Sequence, residues 1–274
     1  MKIQKNYLFN NNKTHTTMRP TYIASCSFGK DSIATILIAM MHHEPLDRIV
    51  SVEVMFDNSR GISGEDPEHI QWVKEVAIPR LKELTGIDTE LIRNDKDDYI
   101  TEFFKKRGNK TKYPERIGKY QGFLLGGFCR INSIGKMAPM RKYWRQFGKN
   151  YVSYVGIAID EPERLARLKG NSVSLLAKYG YTERMAFDLC KQYDLISPNY
   201  ATSSRGGCWF CPNNKVNGFC HLRKHNPELW EELRKLSEVK GKISDKFCYN
   251  DTFATIERKM DIYEWNIQRQ LTLF

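Results

Sequence analysis

One short stretch constrains the fold of this chain more than any other: the apolar run TYIAS, then CSFGKDS, then IATILIAMMHH. The first run favours a β-strand, and the last has apolar residues at helical spacing. The polar loop between them contains a glycine, two serines, a lysine and an aspartate. A strand that enters a helix through such a loop is typical of the first unit of an α/β fold with a parallel sheet.

The same alternation of strands and helices continues along the chain. RIVSVEVMFDNS, DTELIRN and YVSYVGIAIDEPER read as further strands, and the segments between them include helices. Within one helical segment Pro79 predicts a kink or break, and Thr182 is the expected N-cap of a later helix. We therefore predict an α/β domain over residues 21–200, preceded by a polar arm over residues 1–20. A helical, cysteine-bearing C-terminal extension is expected over residues 201–274.

The expected cellular setting follows from what the sequence lacks. It contains no run of about 18 apolar residues, so we expect no transmembrane helix. The polar, Asn/Thr-rich N-terminus lacks the apolar core of a secretory signal. Seven cysteines, an odd number, fit metal ligands or nucleophiles better than a disulfide framework. We expect a soluble, cytoplasmic protein without membrane contact.

The net charge of +11 is concentrated in one segment. Residues 105–149 contain 13 Lys/Arg and a single acid, Glu115, whereas the rest of the chain is close to neutral. Aromatic residues are interleaved with these charges: Tyr113, Tyr120, Phe123, Tyr143 and Trp144. Basic charge beside aromatic faces suits nucleic acid or the phosphates of a nucleotide. A solvated basic face is the alternative.

The loop after the first strand has the parts of a phosphate-binding site. Ser27 and Ser32 offer hydroxyl groups, Gly29 permits close approach of the backbone, and Lys30 supplies a positive charge. The N-terminus of the following helix adds oriented N–H groups. The pattern differs from the G-x-x-x-x-G-K-[ST] loop of other nucleotide-binding proteins.

Three motifs give the chain a resemblance to a known family. SFGKDS resembles the S-G-G-K-D-S loop of the PP-loop ATP pyrophosphatases, with Phe28 in place of a glycine. GIAIDEPER resembles the G-x-R-x-x-E-x-x-R pattern of the phosphoadenosine phosphosulfate (PAPS) reductase-like branch, and GGCWFCPNNK resembles its GCWxCP loop. The motifs occur in the family's order over roughly residues 21–230. On this resemblance the chain is identified as a member of the PAPS reductase-like family.

The resemblance implies a PP-loop domain, of the adenine nucleotide alpha hydrolase-like type, that binds ATP or a related adenine nucleotide with Mg2+. The expected activity is that of an ATP pyrophosphatase that adenylates a substrate in sulfur transfer or nucleic-acid modification. In this role Lys30 stabilises charge at the α phosphate, and Asp31 orients the loop or Mg2+. The implied nucleotide-binding residues are Ser27, Phe28, Gly29, Lys30, Asp31, Ser32, Asp57, Gly156, Glu161 and Arg164.

Some of these assignments have structural alternatives. For Asp57 the alternative is capping of the following turn, and for Glu161 with Arg164 it is a local salt bridge. The chain also departs from the family, because it lacks the cysteine-containing C-terminal tail of true PAPS reductases and has Ala158 in place of an arginine. Reduction of PAPS itself is therefore not expected. Two alternatives remain: a non-catalytic nucleotide- and nucleic-acid-binding accessory protein of a larger complex, and a sulfonucleotide reductase that uses an external thiol.

Cys208 and Cys211 are spaced so that two thiolates can reach one metal from a single turn. Iron–sulfur members of the family have further cysteines upstream, a position that Cys129 matches. The resemblance therefore implies a [4Fe–4S] cluster held by Cys129, Cys208, Cys211 and Cys220. The alternatives are structural Zn2+, for which His221 replaces Cys220, and a metal-free cysteine pair.

The last five residues, QLTLF, resemble the short peptide by which many bacterial proteins dock on the DNA polymerase sliding clamp. In that role Leu271, Leu273 and Phe274 enter a groove of the partner. The alternative is a chain end that packs on the protein's own core.

Overall fold

The computed structural model describes residues 19–125, 129–201 and 207–271. Its strands are β1 Thr21–Ser25, β2 Arg48–Val52, β3 Met55–Asp57, β4 Ile62–Ser63, β5 Thr89–Ile92, β6 Tyr151–Tyr154 and β7 Ser172–Val173. Its α-helices are α1 Lys30–Met41, α2 Pro67–Trp72, α3 Ile78–Thr85, α4 Tyr99–Phe103, α5 Ala138–Arg145, α6 Pro162–Leu165, α7 Leu175–Lys178, α8 Glu183–Gln192, α9 Val216–His225, α10 Pro227–Glu238 and α11 Phe253–Leu271. Two π-helical segments, Val73–Ala77 and Asn132–Met137, and two 3₁₀ turns, Pro114–Arg116 and Pro198–Ala201, accompany them. Within these residues, no helix has both the length and the apolar character that crossing a membrane requires.

Five strands form one sheet in the order β5-β2-β1-β6-β7. Each pairing between neighbours is parallel, and β3 pairs separately with β4 in antiparallel fashion. The predicted α/β class with a parallel sheet is confirmed. The strands β2 and β5 lie on one side of β1, and the strands β6 and β7 lie on the other. β1 and β6 therefore meet at a topological switch point, the place where open α/β sheets bind ligands.

The central strand β1 shows how the sheet is buried on both faces. Its side chains alternate between faces. Ala24 packs with the core around α1, and Ile23 packs on the opposite face with Met140 of α5. Helices therefore cover both faces of the sheet, as the apolar strands of a parallel sheet require.

The helix α1 packs against β1, α7 and α8. Its residues from Ser32 to Ala39 are all buried. A helix that is apolar on nearly all sides is stable only in the interior of a protein. Gly29 stands at its N-cap in an extended conformation, and Asp31 lies in its first turn, where the helix dipole favours a carboxylate. The start of α1 is thus anchored to the core.

One strand prediction differs from the structure, and of the kink or break predicted at Pro79 the break does not occur. RIVSVEVMFDNS is not a single strand of the sheet, because the chain leaves the sheet after Val52 and β3 pairs with β4 instead. The helix around Pro79 does not break: α2 continues through the π-helical segment Val73–Ala77 into α3. The wider π turn accommodates the missing N–H of proline. The predicted cap Thr182 is confirmed, since its side chain accepts a hydrogen bond from the N–H of Met185 at 3.2 Å.

The C-terminal extension has a core rich in aromatic side chains. Phe219, Trp230 and Phe247 are buried together among α9, α10 and α11. The same cluster includes Phe56 of β3 and Phe103 of α4. The extension therefore packs on the α/β domain through elements that lie outside the parallel sheet.

Candidate functional site

The loop 27–32 leaves β1 at the switch point of the sheet. The Ser32 hydroxyl donates to the Gly29 carbonyl at 2.9 Å and accepts from the Ser27 N–H at 3.2 Å. These bonds fold the loop back on the first turn of α1. The loop is therefore held in one shape, with the N-terminus of α1 at the edge of the sheet.

Phe28 occupies the position where the PP-loop family has a glycine. Its backbone is in a conformation that glycine adopts more easily than other residues do. Its φ is +55°, in the left-handed region that costs a non-glycine residue roughly 1–2 kcal/mol. The ring is 2% exposed and packs in the core around α1, and this burial offsets the cost. Strained backbone of this kind often occurs at functional sites.

Gly156, the first residue of the motif GIAIDEPER, packs against the loop 27–32. It follows β6, and a Cβ at this position would lie 2.6 Å from both the Asp31 carbonyl carbon and the Ser32 nitrogen. Only a residue without a side chain fits between the end of β6 and the first turn of α1. The segments 156–161 and 27–32, distant in sequence, thus meet.

Three carboxylates converge beside Lys30. Asp31, Glu161 and Glu183 each have an oxygen within 4.8 Å of the other two. The Lys30 amine lies 2.8 Å from Asp31 Oδ1 and 3.2 Å from Glu183 Oε1. The pKa of Asp31 is raised: burial is the main cause, Lys30 opposes it, and the charges of Glu183 and Glu161 add to it. A divalent cation would relieve this repulsion, so these oxygen ligands fit Mg2+.

The amine of Lys30 keeps its proton at neutral pH. Burial lowers its pKa, but hydrogen bonds to Asp31 and Glu183 outweigh burial, and the pKa is raised. Sequence reasoning missed Glu183, because it reads as an ordinary acid in the first turn of α8. Packing of α8 on α1 brings it to Lys30, and no local pattern signals that contact.

Two adjoining cavities open beside the loop. The first, about 170 Å³, lies at the carboxyl ends of β1 and β2 and has apolar walls that include Val52 and Leu91. The second, about 190 Å³, borders Gly29 and Asp31. The residues that line both are Ser27, Phe28, Glu65, His69 and Lys136. The two cavities thus form one cleft that follows the loop.

The polar residues at the junction of the cavities are already hydrogen-bonded. His69 Nδ1 lies 2.8 Å from Ser197 Oγ, and burial lowers the pKa of His69, so the ring is neutral at pH 7. The Lys30 N–H donates to the Tyr200 hydroxyl at 3.0 Å. Sequence reasoning missed His69, Ser197 and Tyr200, which only the fold brings to the loop.

Glu65 and Lys136 form an ion pair in the same wall. Their charged atoms are 3.3 Å apart, and Glu65 is 8% exposed. Replacing Lys136 with methionine is expected to destabilise the protein by about 2 kcal/mol, because the buried carboxylate loses its cation. The loss is smaller than for a fully buried pair, since the Lys136 side chain is 33% exposed.

Urea denaturation of this variant and of the double variant Lys136→Met/Glu65→Gln measures the effect of that pair. The double variant should recover most of the lost stability, because it removes the unpaired charge. Equal losses in the single and double variants would contradict the pairing of Glu65 with Lys136.

Two predicted nucleotide-binding residues, Asp57 and Arg164, contact neighbouring residues of the chain. These are the contacts expected if the two side chains have a structural role. Asp57 ends β3, outside the parallel sheet, and its Oδ1 accepts from the Ser59 N–H at 2.9 Å. Its Oδ2 accepts from Arg60 Nε at 2.6 Å. Arg164 forms an ion pair with Glu161, which also belongs to the carboxylate group.

Two of the four predicted metal ligands, Cys208 and Cys211, share one turn in the structure. Cys208 forms an isolated bridge with Glu65, and its carbonyl accepts the N–H of Cys211 at 3.0 Å in a tight turn. Burial raises the pKa of Cys208, and the charges of Glu65, Cys211 and Cys129 raise it further. Cys220 does not join them, because it faces α11.

The spacing of the cysteines bears on the kind of metal. In the part of the chain that the structure describes, no three cysteine sulfurs lie within 4.8 Å of one another. Four thiolates on one Zn2+ are about 3.8 Å apart, given Zn–S bonds of about 2.3 Å in a tetrahedron. In a [4Fe–4S] cluster each thiolate binds a separate iron, so the sulfurs are farther apart. The [4Fe–4S] cluster and the zinc ion both stay predictions.

Part of the basic segment 105–149 is used within the fold. Lys105 and Arg130 pair with Glu102, and the rings of Phe123 and Tyr143 are buried. Those two rings are therefore not available for stacking on bases. Exposed basic residues of the segment include Lys110, Lys112, Arg141, Lys142 and Arg145.

Some predictions concern residues outside the described ranges. The polar arm falls there up to residue 18, as do Leu273 and Phe274 of the proposed clamp-binding peptide. Leu271 is the last residue of α11.

No protein-family model matches this chain, and no curated protein matches its sequence. The family membership inferred from the three motifs therefore stays a prediction, and a functional conclusion has to rest on the geometry of the site.

Proposed function

We propose that this chain binds an adenine nucleotide at the switch point of its sheet and transfers the adenylyl group to an acceptor, with release of pyrophosphate. One observation supports this above the others. The loop 27–32, the protonated Lys30 and three carboxylates stand together at the edge of the sheet, beside a two-part cavity. A helix N-terminus and a lysine attract phosphates, and grouped carboxylates attract a divalent cation.

The shapes of the two cavities support a pose for the proposed nucleotide. The first has apolar walls between the ends of β1 and β2, which suit a flat base. The second borders Gly29 and Asp31, where the phosphates meet the loop. His69 and Lys136, at the junction, are within reach of the groups between base and phosphates.

The reaction is a displacement at the α phosphorus. An acceptor oxygen attacks this atom and loses its proton to solvent, and the bond to the oxygen that bridges the α and β phosphates breaks. Pyrophosphate leaves with the bonding electrons. Lys30 neutralises charge that develops on the phosphates, and charge stabilisation of this preorganised kind is often the largest contribution to catalysis. Mg2+ held by Asp31, Glu161 and Glu183 would add to this neutralisation.

Product analysis with ATP labelled in its α and γ phosphates tests the proposal. The assay contains Mg2+ and a single-stranded oligonucleotide as the acceptor probe. We expect pyrophosphate and an equal amount of AMP, either free or joined to the acceptor. Formation of ADP with inorganic phosphate would contradict the proposal, and so would the absence of ATP binding in calorimetry.

A second candidate is an accessory protein that binds a nucleotide and nucleic acid without turnover. The exposed basic residues of the segment 105–149 favour it. ATP binding without product, together with oligonucleotide binding that weakens steeply with salt, would support this candidate. For a single strand the expected slope of log affinity against log salt is about −0.7 per phosphate neutralised.

A further inference from the structure

We propose that His69 is a ligand-binding residue whose ring donates a hydrogen bond from Nε2 to an oxygen of the α phosphate of the bound nucleotide. The inference rests on the nucleotide binding proposed above, and it adds a residue that none of the sequence motifs contains. Three features of the fold support it: the position of His69 in the cleft, the accessibility of its Nε2 atom, and the hydrogen bonds of Ser197.

His69 lies where the two cavities of the cleft meet. It lines the cavity of about 170 Å³ at the ends of β1 and β2, and also the cavity of about 190 Å³ that borders Gly29 and Asp31. In the proposed pose the base occupies the first cavity, and the phosphates meet the loop in the second. The part of the nucleotide that joins them, the sugar with its α phosphate, therefore passes the ring of His69.

The ring of His69 is buried, but its Nε2 atom is accessible from the cleft. The residue as a whole is 6% exposed. Within the described residues no hydrogen bond reaches Nε2, and the fully buried side-chain polar atoms without a partner are Thr89 Oγ1 and Trp144 Nε1. Because Nε2 is not one of these two atoms, it retains accessible surface. His69 lines both cavities, so that surface opens into the cleft.

The hydrogen bonds of Ser197 select the tautomer of His69. His69 Nδ1 and Ser197 Oγ are 2.8 Å apart, and Ser197 is 2% exposed. The N–H of Asn199 donates to the same Oγ at 3.3 Å. The hydroxyl proton of Ser197 needs an acceptor of its own, and among the described residues the acceptor beside it is Nδ1. A neutral ring that accepts at Nδ1 carries its proton on Nε2.

The surroundings of the ring keep it neutral. Burial lowers the pKa of His69, and the charge of Lys136 lowers it further. The charges of Glu65 and Asp66 act in the opposite direction without outweighing burial. At neutral pH the ring therefore donates from Nε2 and keeps Nδ1 as an acceptor. A phosphate oxygen is a strong acceptor for such a donor, because it carries charge.

One short segment connects the ring of His69 to the phosphate loop. Ser197 contacts the ring, and the hydroxyl of Tyr200 in the same segment accepts the N–H of Lys30 at 3.0 Å. The N–H of Tyr200 donates to the Ser197 carbonyl at 3.1 Å, which closes the turn between them. Groups that bind one ligand need a fixed relative position, and this turn provides it for His69 and the N-terminus of α1.

Nitrogen NMR spectra of the imidazole rings, recorded on the isotope-labelled unaltered chain without nucleotide, test the tautomer. The His69 signals are assigned by their absence in the variant His69→Gln. At neutral pH we expect Nε2 to show the chemical shift of a protonated nitrogen, and Nδ1 that of an unprotonated acceptor. A proton on Nδ1, with or without one on Nε2, would overturn the inference.

Calorimetry with AMP and adenosine tests the contact with the α phosphate. The variant His69→Leu should bind AMP about 10- to 100-fold more weakly than the unaltered chain, as expected for the loss of a hydrogen bond to a charged group. Its affinity for adenosine, which has no phosphate, should be unchanged. In His69→Gln the side-chain amide can donate in place of Nε2, so this variant should recover most of the AMP affinity. Equal weakening of AMP and adenosine binding would contradict the contact.

The outcomes separate this inference from the proposed function. If the unaltered chain binds ATP and AMP, and folded His69→Leu binds AMP equally well, the inference is overturned and the nucleotide site stands. If the unaltered chain binds neither nucleotide, the proposed function fails, and the contact of His69 with a nucleotide fails with it. Even then the NMR spectra decide the tautomer, because they are recorded without a ligand.

Discussion

Alanine at position 156 is expected to destabilise the protein by about 3 kcal/mol and to abolish nucleotide binding. The added Cβ would lie 2.6 Å from Asp31 C and Ser32 N and 2.7 Å from Asp31 O. All three are backbone atoms, so no side-chain rotation relieves the overlap. Either the end of β6 or the first turn of α1 must move, and the loop 27–32 moves with it.

The matched control is Gly218→Ala. Gly218 lies within α9, and a Cβ there would meet no atom within 4 Å. Alanine is the better helix former, so this variant should be about 0.5–1 kcal/mol more stable. Urea denaturation followed by circular dichroism compares both variants, and calorimetry with ATP reports binding. A Gly156→Ala protein with unchanged stability and ATP affinity would contradict the contact between β6 and α1.

Replacing Lys30 with alanine is expected to slow pyrophosphate release by about 10²–10³-fold. The amine is held 2.8 Å from Asp31 Oδ1 and 3.2 Å from Glu183 Oε1, at the N-terminus of α1. Its charge is therefore fixed before the nucleotide binds, so little reorganisation is needed as charge develops on the phosphates. ATP affinity should fall less than the rate does, because the helix N-terminus and the loop hydroxyls remain.

Lys191→Ala provides the control for Lys30→Ala. Lys191 is exposed near the C-terminal end of α8, so its removal changes the net charge equally without touching the loop. Pyrophosphate release by this variant should match that of the unaltered protein. Thermal denaturation of both variants shows whether a lost rate reflects chemistry or folding. An undiminished rate in folded Lys30→Ala would remove Lys30 from the mechanism.

The sequence was most informative where the relevant contacts are local. Gly29 and Ser32 belong to a strand–loop–helix unit whose hydrogen bonds connect residues a few positions apart. Cys208 and Cys211 meet because they share one turn. Thr182 was predictable as a cap, since its bond reaches only to Met185. Patterns of this range follow from helix and turn geometry alone.

Contacts between segments that are distant along the chain could not be predicted from the sequence patterns. The run from β2 to β3 alternates like one strand, but the partner of a strand depends on the rest of the sheet, and β3 pairs outside it. In the sequence Glu183 is an ordinary acid in the first turn of α8. It reaches Lys30 only because α8 packs on α1. Cys220 was predicted as a metal ligand from its place in the sequence, but in the fold it is buried in the aromatic core of the extension, with its Sγ on the Met260 carbonyl.

The residues alone were enough to predict an α/β chain whose first strand enters a helix through a polar loop, and a C-x2-C turn before the C-terminal helices. These features depend on hydrogen bonds and apolar periods that span a few residues. The pairs that share a site became visible in the fold: Gly156 with Asp31, Glu183 with Lys30, and Lys136 with Glu65. Their positions are set by the burial of whole helices against the sheet, which sums many weak apolar contacts between distant parts of the chain.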